Sequence, residues 1–212
     1  NMLVVVIGDR GLFGQDMYSL LHSKGDKVVG FNRSNLDLSQ TIEGLIDSIP
    51  RADVFVNAVA YTQVDAAEDH KDEARLVNGE YAGKLAQVAN ALGARFIQIS
   101  TDYVFPGNSS FPIPTNNPTS PINEYGASKL LGEQLVAESG ADYQIFRTAW
   151  LYGVGGKCFP STIAKRLLES GEVEVVDDQT GQPTWTRDLA KVIYSHIHHP
   201  RNERVVHAVA SG

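Results

Sequence analysis

The chain has 212 residues, 42% hydrophobic and 20% charged, with a formal net charge of −7 and a pI near 5.3. That length can bury a sizeable core in one large α/β domain, with or without a small appendage. The acidic balance argues against nucleic acid or an anionic membrane as the main partner, and no apolar run reaches the roughly 20 residues of a membrane span. The single cysteine, Cys158, offers neither an internal disulfide nor a metal cluster and reads as a small apolar core residue. Cysteine usage of this kind suits a cytoplasmic protein.

Asn1 before Met2 looks like a tag remnant. The run Leu3 to Ile7 reads as a buried first strand, too short and too poor in flanking basic residues for a signal peptide. Gly8-Asp9-Arg10-Gly11-Leu12-Phe13-Gly14 follows and runs into a helix through Met17, Leu20 and Leu21, ended by Gly25. Val28 to Phe31 form the next strand. Strand, glycine turn, helix, strand is a βαβ unit. Its glycines let backbone approach a pyrophosphate, and the helix N-terminus turns unpaired N–H groups toward it. The spacing is G-x-x-G-x-x-G. After the second strand, an acidic residue would hold a ribose 2′-OH, whereas Arg can hold a 2′-phosphate. This chain has Asn32-Arg33-Ser34, and Arg10 in the loop, which favours NADP(H) with NADH as a second option. Two solvated surface arginines are the plain alternative.

Ser39 reads as the cap of a helix carrying Ile42, Leu45, Ile46 and Ile49. Asp53 to Val56 form a third strand, leading to small residues around Ala60. A helical region is predicted from about Val64 to Leu92, stopped by Gly93, with Glu68 to Glu73 as a solvated face. Arg95 to Ile99 form the fourth strand, which delivers Ser100 and Thr101 to the same sheet edge as the glycine loop. Residues 106–121 are rich in Pro, Asn and Ser and form a loop. Asn123 or Glu124 opens a helix carrying Tyr125, Lys129, Leu130, Leu131 and Leu135. Beyond it are predicted a strand Tyr143 to Phe146, a helix near Ser161 to Ser170, a strand Val173 to Val176, a helix Arg187 to His198 and a strand Val205 to Val209. His196, His198 and His199 read as surface histidines at a helix end. No partner with ligand spacing accompanies them, so no metal is predicted.

Tyr125 and Lys129 are four apart and share a helical face. An ammonium near a phenol lowers its pKa and fits it for proton transfer near neutral pH. Thr101 at a neighbouring strand end could share a substrate oxygen with Tyr125. The set suits proton delivery to a carbonyl. Taken alone, Tyr125 could equally be a packing tyrosine.

Together these motifs resemble the extended short-chain dehydrogenase/reductase superfamily, and within it the dTDP-4-dehydrorhamnose reductase family. The resemblance rests on Gly8 to Gly14, Asn57 to Glu68, Ser100 to Gly107, Pro118 to Glu133, Arg147 to Gly153 and Asp177 to Ala190. It implies an α/β fold with a Rossmann-type doubly wound parallel sheet. Residues 1–150 would form the NAD(P)-binding domain. Residues 151–212 would form a small, incomplete substrate-binding region interleaved with it and lacking a C-terminal tail. The implied activity is NADPH-dependent reduction of the C4 keto group of dTDP-4-dehydro-β-L-rhamnose. Tyr125 would donate the proton, Lys129 would lower its pKa and hold the nicotinamide ribose, and Thr101 would bind the substrate oxygen. Asp102 and Trp150 would contact the sugar. Gly8, Gly11, Leu12, Phe13 and Gly14 would cradle the pyrophosphate, with Asn32 and Arg33 at the adenosine ribose. Asp37 and Leu38 would flank the adenine, and Ala60, Tyr61 and Thr62 would line the nicotinamide side. A homodimer stays open. So do two other functions: a non-catalytic regulatory subunit of the methionine adenosyltransferase type, and a reductase or epimerase of another nucleotide sugar.

Overall fold

The computed structural model describes residues 1–211. In its first strand, β1 (Leu3–Ile7), Val5 and Ile7 enter one apolar cluster and Val4 and Val6 another. A strand apolar on both sides must be covered on both sides. The chain continues as α1 (Leu12–Ser23), β2 (Lys27–Phe31), α2 (Ile42–Ser48), β3 (Val54–Asn57), α3 (Lys71–Arg75), α4 (Tyr81–Leu92), β4 (Arg95–Thr101) and α5 (Glu124–Glu138). It ends as β5 (Tyr143–Thr148), β6 (Leu151–Tyr152), α6 (Phe159–Ser170), β7 (Thr184–Trp185), α7 (Thr186–His198) and β8 (Val205–His207).

The main sheet is parallel, in the order β2-β1-β3-β4-β5-β8. Helices α1 and α7 cover one face through Met17, Leu21, Leu189 and Ile193. Helices α2, α4 and α5 cover the other through Leu45, Leu85, Val88 and Val136. The winding direction switches between β1 and β3. Loops leaving these strands diverge and open a crevice at the strands' carboxyl ends, where α/β sheets bind ligands. Residues after 150 return to this framework, because β8 extends the main sheet and α7 packs on α1.

Several elements depart from the sequence reading. The long helix expected from Val64 to Leu92 is broken into a 3₁₀ turn (Ala66–Glu68), α3, a π-helical turn (Leu76–Glu80) and α4. The π turn buries Asn78 and Gly79. Thr41, not Ser39, caps α2 by accepting the Gly44 N–H at 3.1 Å. Ser39 instead donates its N–H and hydroxyl to Asp37 at 2.9 and 2.7 Å. Residues 173–176 form no strand. Val175 and Val176 are exposed, and the preceding α6 buries no residue, so no sheet edge lies beside them. The two-residue strands β6 and β7 pair in parallel, too short to leave a pattern in sequence.

Cys158 is not a core residue. It is half-exposed at the start of α6, with its thiol 3.4 Å from the Ser161 hydroxyl. Nor are the three histidines all on the surface. His196 is buried edge-on against Phe146, with ring centroids 5.0 Å apart. His198 Nε2 lies 2.7 Å from the Asp26 carboxylate. The last turn of α7 lies against the sheet, so its apolar stripe carries these rings inward. His199 alone of the three is exposed.

Asp26 is buried and also accepts the Met2 N–H at 3.0 Å, so it joins the first strand to the last helix. Asp26→Ala leaves both partners unsatisfied. We expect a loss of about 2 kcal/mol, seen as a fall in Tm of roughly 4–8 °C for a chain of this size. An unchanged melting curve would show that this tie contributes nothing.

Candidate active site

The glycine loop after β1 is closed by its own backbone. Gly8 adopts φ +91°, and a Cβ at Gly14 would collide with the Gly8 carbonyl. Gly11 is the N-cap of α1. It supplies no side-chain cap, and no acidic residue sits in the first turn. The first-turn N–H groups of Leu12, Phe13 and Gly14 therefore lack an acceptor within the helix. An anion such as a pyrophosphate satisfies them and the positive helix end together. The cradle fits a dinucleotide.

Past β2, the Asn32 side chain donates to the Asp9 carboxylate at 2.9 Å, which fixes the rim of the loop. Arg33 and Arg10 are exposed, and neither forms an ion pair among the described residues. Two guanidinium groups are thus available near the glycine loop and the end of β2. The Ser39 hydroxyl and N–H hold the Asp37 carboxyl below the usual range. The Lys84 ammonium donates to the carbonyls of Leu38 and Gln40 at 3.0 and 2.8 Å, fixing the segment before α2 to α4. Sequence reasoning missed Lys84, which sits in an ordinary helical pattern.

Residues 60–62 extend from β3. Asn78 in the π turn accepts the Tyr61 N–H at 2.8 Å and donates to the Tyr61 carbonyl at 3.1 Å. Its amide also donates to the Ser128 hydroxyl at 2.9 Å. One buried amide thus locks the loop after β3 to α5. Sequence reasoning missed Asn78 as well. Its signal is a bulge, which hydrophobic periodicity does not report.

Strand β4 carries Thr101 to the crevice, and a 3₁₀ turn over Asp102–Val104 follows. The Thr101 hydroxyl accepts the Tyr103 N–H and donates to the Asp102 carboxylate, each at 3.2 Å. Asn123 caps α5 by accepting the Gly126 N–H at 2.7 Å. Gly126 then rests on the Tyr103 carbonyl, where a Cβ would collide. That approach sets Tyr125 against the turn. Its ring lies edge-on to Tyr103 with centroids 5.6 Å apart, and its phenol is under the influence of the Thr101 hydroxyl and the Asp102 charge. Lys129, one turn on, is buried and donates to the Ile99 carbonyl at 2.7 Å. Thr101, Asp102, Tyr125 and Lys129 therefore meet at one sheet edge.

One electrostatic expectation is reversed. The sequence predicts that Lys129 lowers the Tyr125 pKa, but burial pushes the Tyr125 phenol up to about 12, with the Thr101 hydrogen bond opposing and the Asp102 charge adding. Lys129 spends a proton on Ile99 instead, and burial brings it down to about 8 against the pull of Glu133. The tyrosine is thus held as a phenol, the form a proton donor requires. Burial also raises the Asp102 carboxyl, opposed by its hydrogen bond from Thr101.

Trp150 stands just past β5 with φ +44°, a backbone region that L residues rarely adopt. Its indole packs on Gly181 and acts on the Tyr103 phenol, lowering its pKa against the burial that raises it. Asp16, near the glycine loop, is engaged by the Thr186 hydroxyl and lies 3.6 Å from Arg187. Among the described residues, no helix is long and apolar enough to cross a membrane.

Comparison with known proteins agrees with this geometry. The family model for the RmlD substrate binding domain matches residues 2–212. A dTDP-4-dehydrorhamnose reductase of Burkholderia thailandensis is 41% identical over 213 residues, covering 100% of this chain and 71% of the relative. Another, from Streptomyces griseus, is 42% identical over 189 residues, covering 88% of this chain and 62% of the relative. A solved dTDP-4-dehydrorhamnose reductase of Bacillus anthracis, in complex with NADP, superposes with a TM-score of 0.93 at 34% identity, over 100% of this chain and 75% of that one. The chain thus spans roughly two thirds to three quarters of the proteins it matches. On the match along its whole length, the chain belongs to the dTDP-4-dehydrorhamnose reductase family.

Proposed function

We propose that this chain uses NADPH to reduce the C4 keto group of dTDP-4-dehydro-β-L-rhamnose, giving dTDP-β-L-rhamnose. The observation that carries this reading is the meeting of Thr101, Tyr125 and Lys129 beside the glycine cradle. The relatives' names add the sugar, and the NADP complex of the Bacillus anthracis relative supports the cofactor. Those names favour an enzyme over a non-catalytic regulator. Under this reading residues 1–150 form the cofactor-binding domain, and residues from 151 onward contribute to the sugar side.

The bound NADPH supplies the hydride. The first-turn N–H groups of Leu12, Phe13 and Gly14 hold its pyrophosphate, with Gly8 and Gly11 leaving room. Asn32 and Arg33 hold the 2′-phosphoribose, Asp37 and Leu38 border the adenine, and Ala60, Tyr61 and Thr62 line the nicotinamide side. The Thr101 and Tyr125 hydroxyls both reach the ketone oxygen. As negative charge develops on that oxygen, Tyr125 gives up its proton, and the Thr101 O–H turns from Asp102 to stabilise the charge. Lys129 supplies a fixed positive charge one turn below. Asp102 and Trp150 hold the sugar.

Tyr125→Phe removes the donor and keeps the ring. We expect turnover to fall about 10²- to 10⁴-fold, with NADPH affinity by fluorescence titration nearly unchanged. Full activity in this variant overturns the assignment. Arg33→Ala deletes a charge-assisted contact worth about 1.5–3 kcal/mol. NADPH binding is then expected to weaken roughly ten- to a hundredfold and NADH binding to stay level, whereas equal losses leave Arg33 as surface only. The pH profile follows from Lys129. Tyr125 remains a phenol up to about 12, but Lys129 loses its charge as pH rises through about 8. Reduction is therefore expected to hold at neutral pH and to decline above about 8. A rate that is flat to pH 10 would remove Lys129's charge from the mechanism.

A further inference from the structure

Glu133 lies on α5 one turn beyond Lys129, and its side chain is only 6% exposed. It faces Arg147 of β5, 7% exposed, through two hydrogen bonds of 2.9 and 2.7 Å. The Ser100 hydroxyl donates a third bond to Glu133 at 2.6 Å. Arg147 sends its remaining nitrogen to the Thr115 carbonyl at 3.1 Å and stacks over Phe105 with 5.1 Å to the ring centroid. Ser100 and Arg147 are register partners across β4 and β5, and the next pair is Thr101 with Thr148. One buried ion pair therefore joins the helix of Tyr125 and Lys129, the strand end bearing Thr101, and the loop of residues 106–121.

A buried pair of this kind is a poor source of stability, because desolvation offsets the attraction and an apolar pair packs about as well. What it supplies is fixed geometry and a fixed charge. We propose that Glu133 and Arg147 are positioning residues for the proton-delivery step: their buried pair clamps the Tyr125–Lys129 helix to the ends of β4 and β5 and ties the 106–121 loop over the site. This proposal rests on the reductase reading for its kinetic consequence, although the clamp itself is a property of the fold.

The clamp also has an electrostatic side. Tyr125 and Glu133 lie one turn either side of Lys129 on its own helix, the Glu133 charge acts on Lys129, and Arg147 of β5 and His207 of β8 lie against Glu133. Burial, then Arg147, hold the His207 imidazole below its usual range, so it is neutral where Lys129 titrates. Glu133 is the one neighbour that opposes the loss of charge by Lys129. Neutralising Glu133 must therefore move the alkaline decline of activity to lower pH.

The test uses Glu133→Gln and the double variant Glu133→Gln with Arg147→Gln, which removes both charges at similar volume and so avoids an unpaired buried ion. Thermal melts establish folding. Expected for both is a tenfold or greater fall in kcat, with NADPH Kd within threefold of the parent. In Glu133→Gln the alkaline limb moves down by at least half a pH unit. Amide hydrogen exchange at residues 106–121 and along α5 speeds up at least tenfold in the double variant. A folded double variant with parental kcat, pH profile and exchange overturns the proposal. So does a variant that loses only Tm. If the parent chain itself turns over no sugar nucleotide, the reductase reading fails, and the exchange measurement alone decides the clamp. Parental exchange in the double variant then overturns it.

Discussion

A lysine ammonium buried under a sheet edge is the constraint around which this site is arranged. Lys129 is almost wholly removed from water, and a buried charge must be met by partners. The Ile99 carbonyl meets it directly, and it is a carbonyl inside a strand. The Gln98 amide donates to the same oxygen at 3.0 Å, and Asn57 at the end of β3 donates to Gln98 at 2.8 Å. A row of polar side chains thus runs beneath the carboxyl ends of β3 and β4, each bonded to the next. That row keeps the strand ends level, and level strand ends give Thr101 and the loop after β3 their positions.

Helix α5 obeys the same constraint from above. Its leucines are only partly buried, and its buried face is Gly126, Ser128, Lys129, Gly132, Glu133 and Val136. A helix that buries small and charged residues gains little from apolar transfer. Its placement depends on close backbone approach and on hydrogen bonds. Gly126 against the Tyr103 carbonyl and Ser128 against Asn78 supply these. Catalytic helices made this way are set accurately because hydrogen bonds are directional, whereas apolar packing tolerates sliding.

The sequence was legible where periodicity and glycine spacing carry the information. Leu3–Ile7 and the α1 glycine loop come out at the residues read from sequence, because a buried parallel strand and a phosphate turn both leave dense local patterns. The start of α5 was legible to within one residue, since Asn123 or Glu124 was expected to open it and Asn123 caps it. Long-range polar pairing was not. Nothing within a few residues of Asn78 announces that its amide spans Tyr61 and Ser128, or that Lys84 holds Leu38. His198 looked like a surface residue because its partner, Asp26, is 172 positions away. The direction of the Tyr125 shift was misread for a related cause. Helical spacing places Lys129 near the phenol, but it does not reveal that a strand carbonyl competes for the ammonium or that burial outweighs it.

The seam between β5 and the residues that follow is where local preference is most plainly overridden. Trp150 adopts φ +44° directly after β5, at a cost of order 1–3 kcal/mol for a non-glycine residue. An extended backbone at that point would continue the strand and carry the indole away from Tyr103. Turning the chain there instead lets residues 151–152 leave the main sheet and pair with 184–185. It also brings Gly181 under the indole. The Thr184 N–H closes the arrangement on the Trp150 carbonyl at 3.2 Å. One strained residue thus sends the chain out of the main sheet and sets its indole against Gly181, where it acts on Tyr103. The strain is local, but what holds it lies more than thirty residues later, at Gly181 and Thr184. A turn whose restraint is that distant cannot be read from the residues around it.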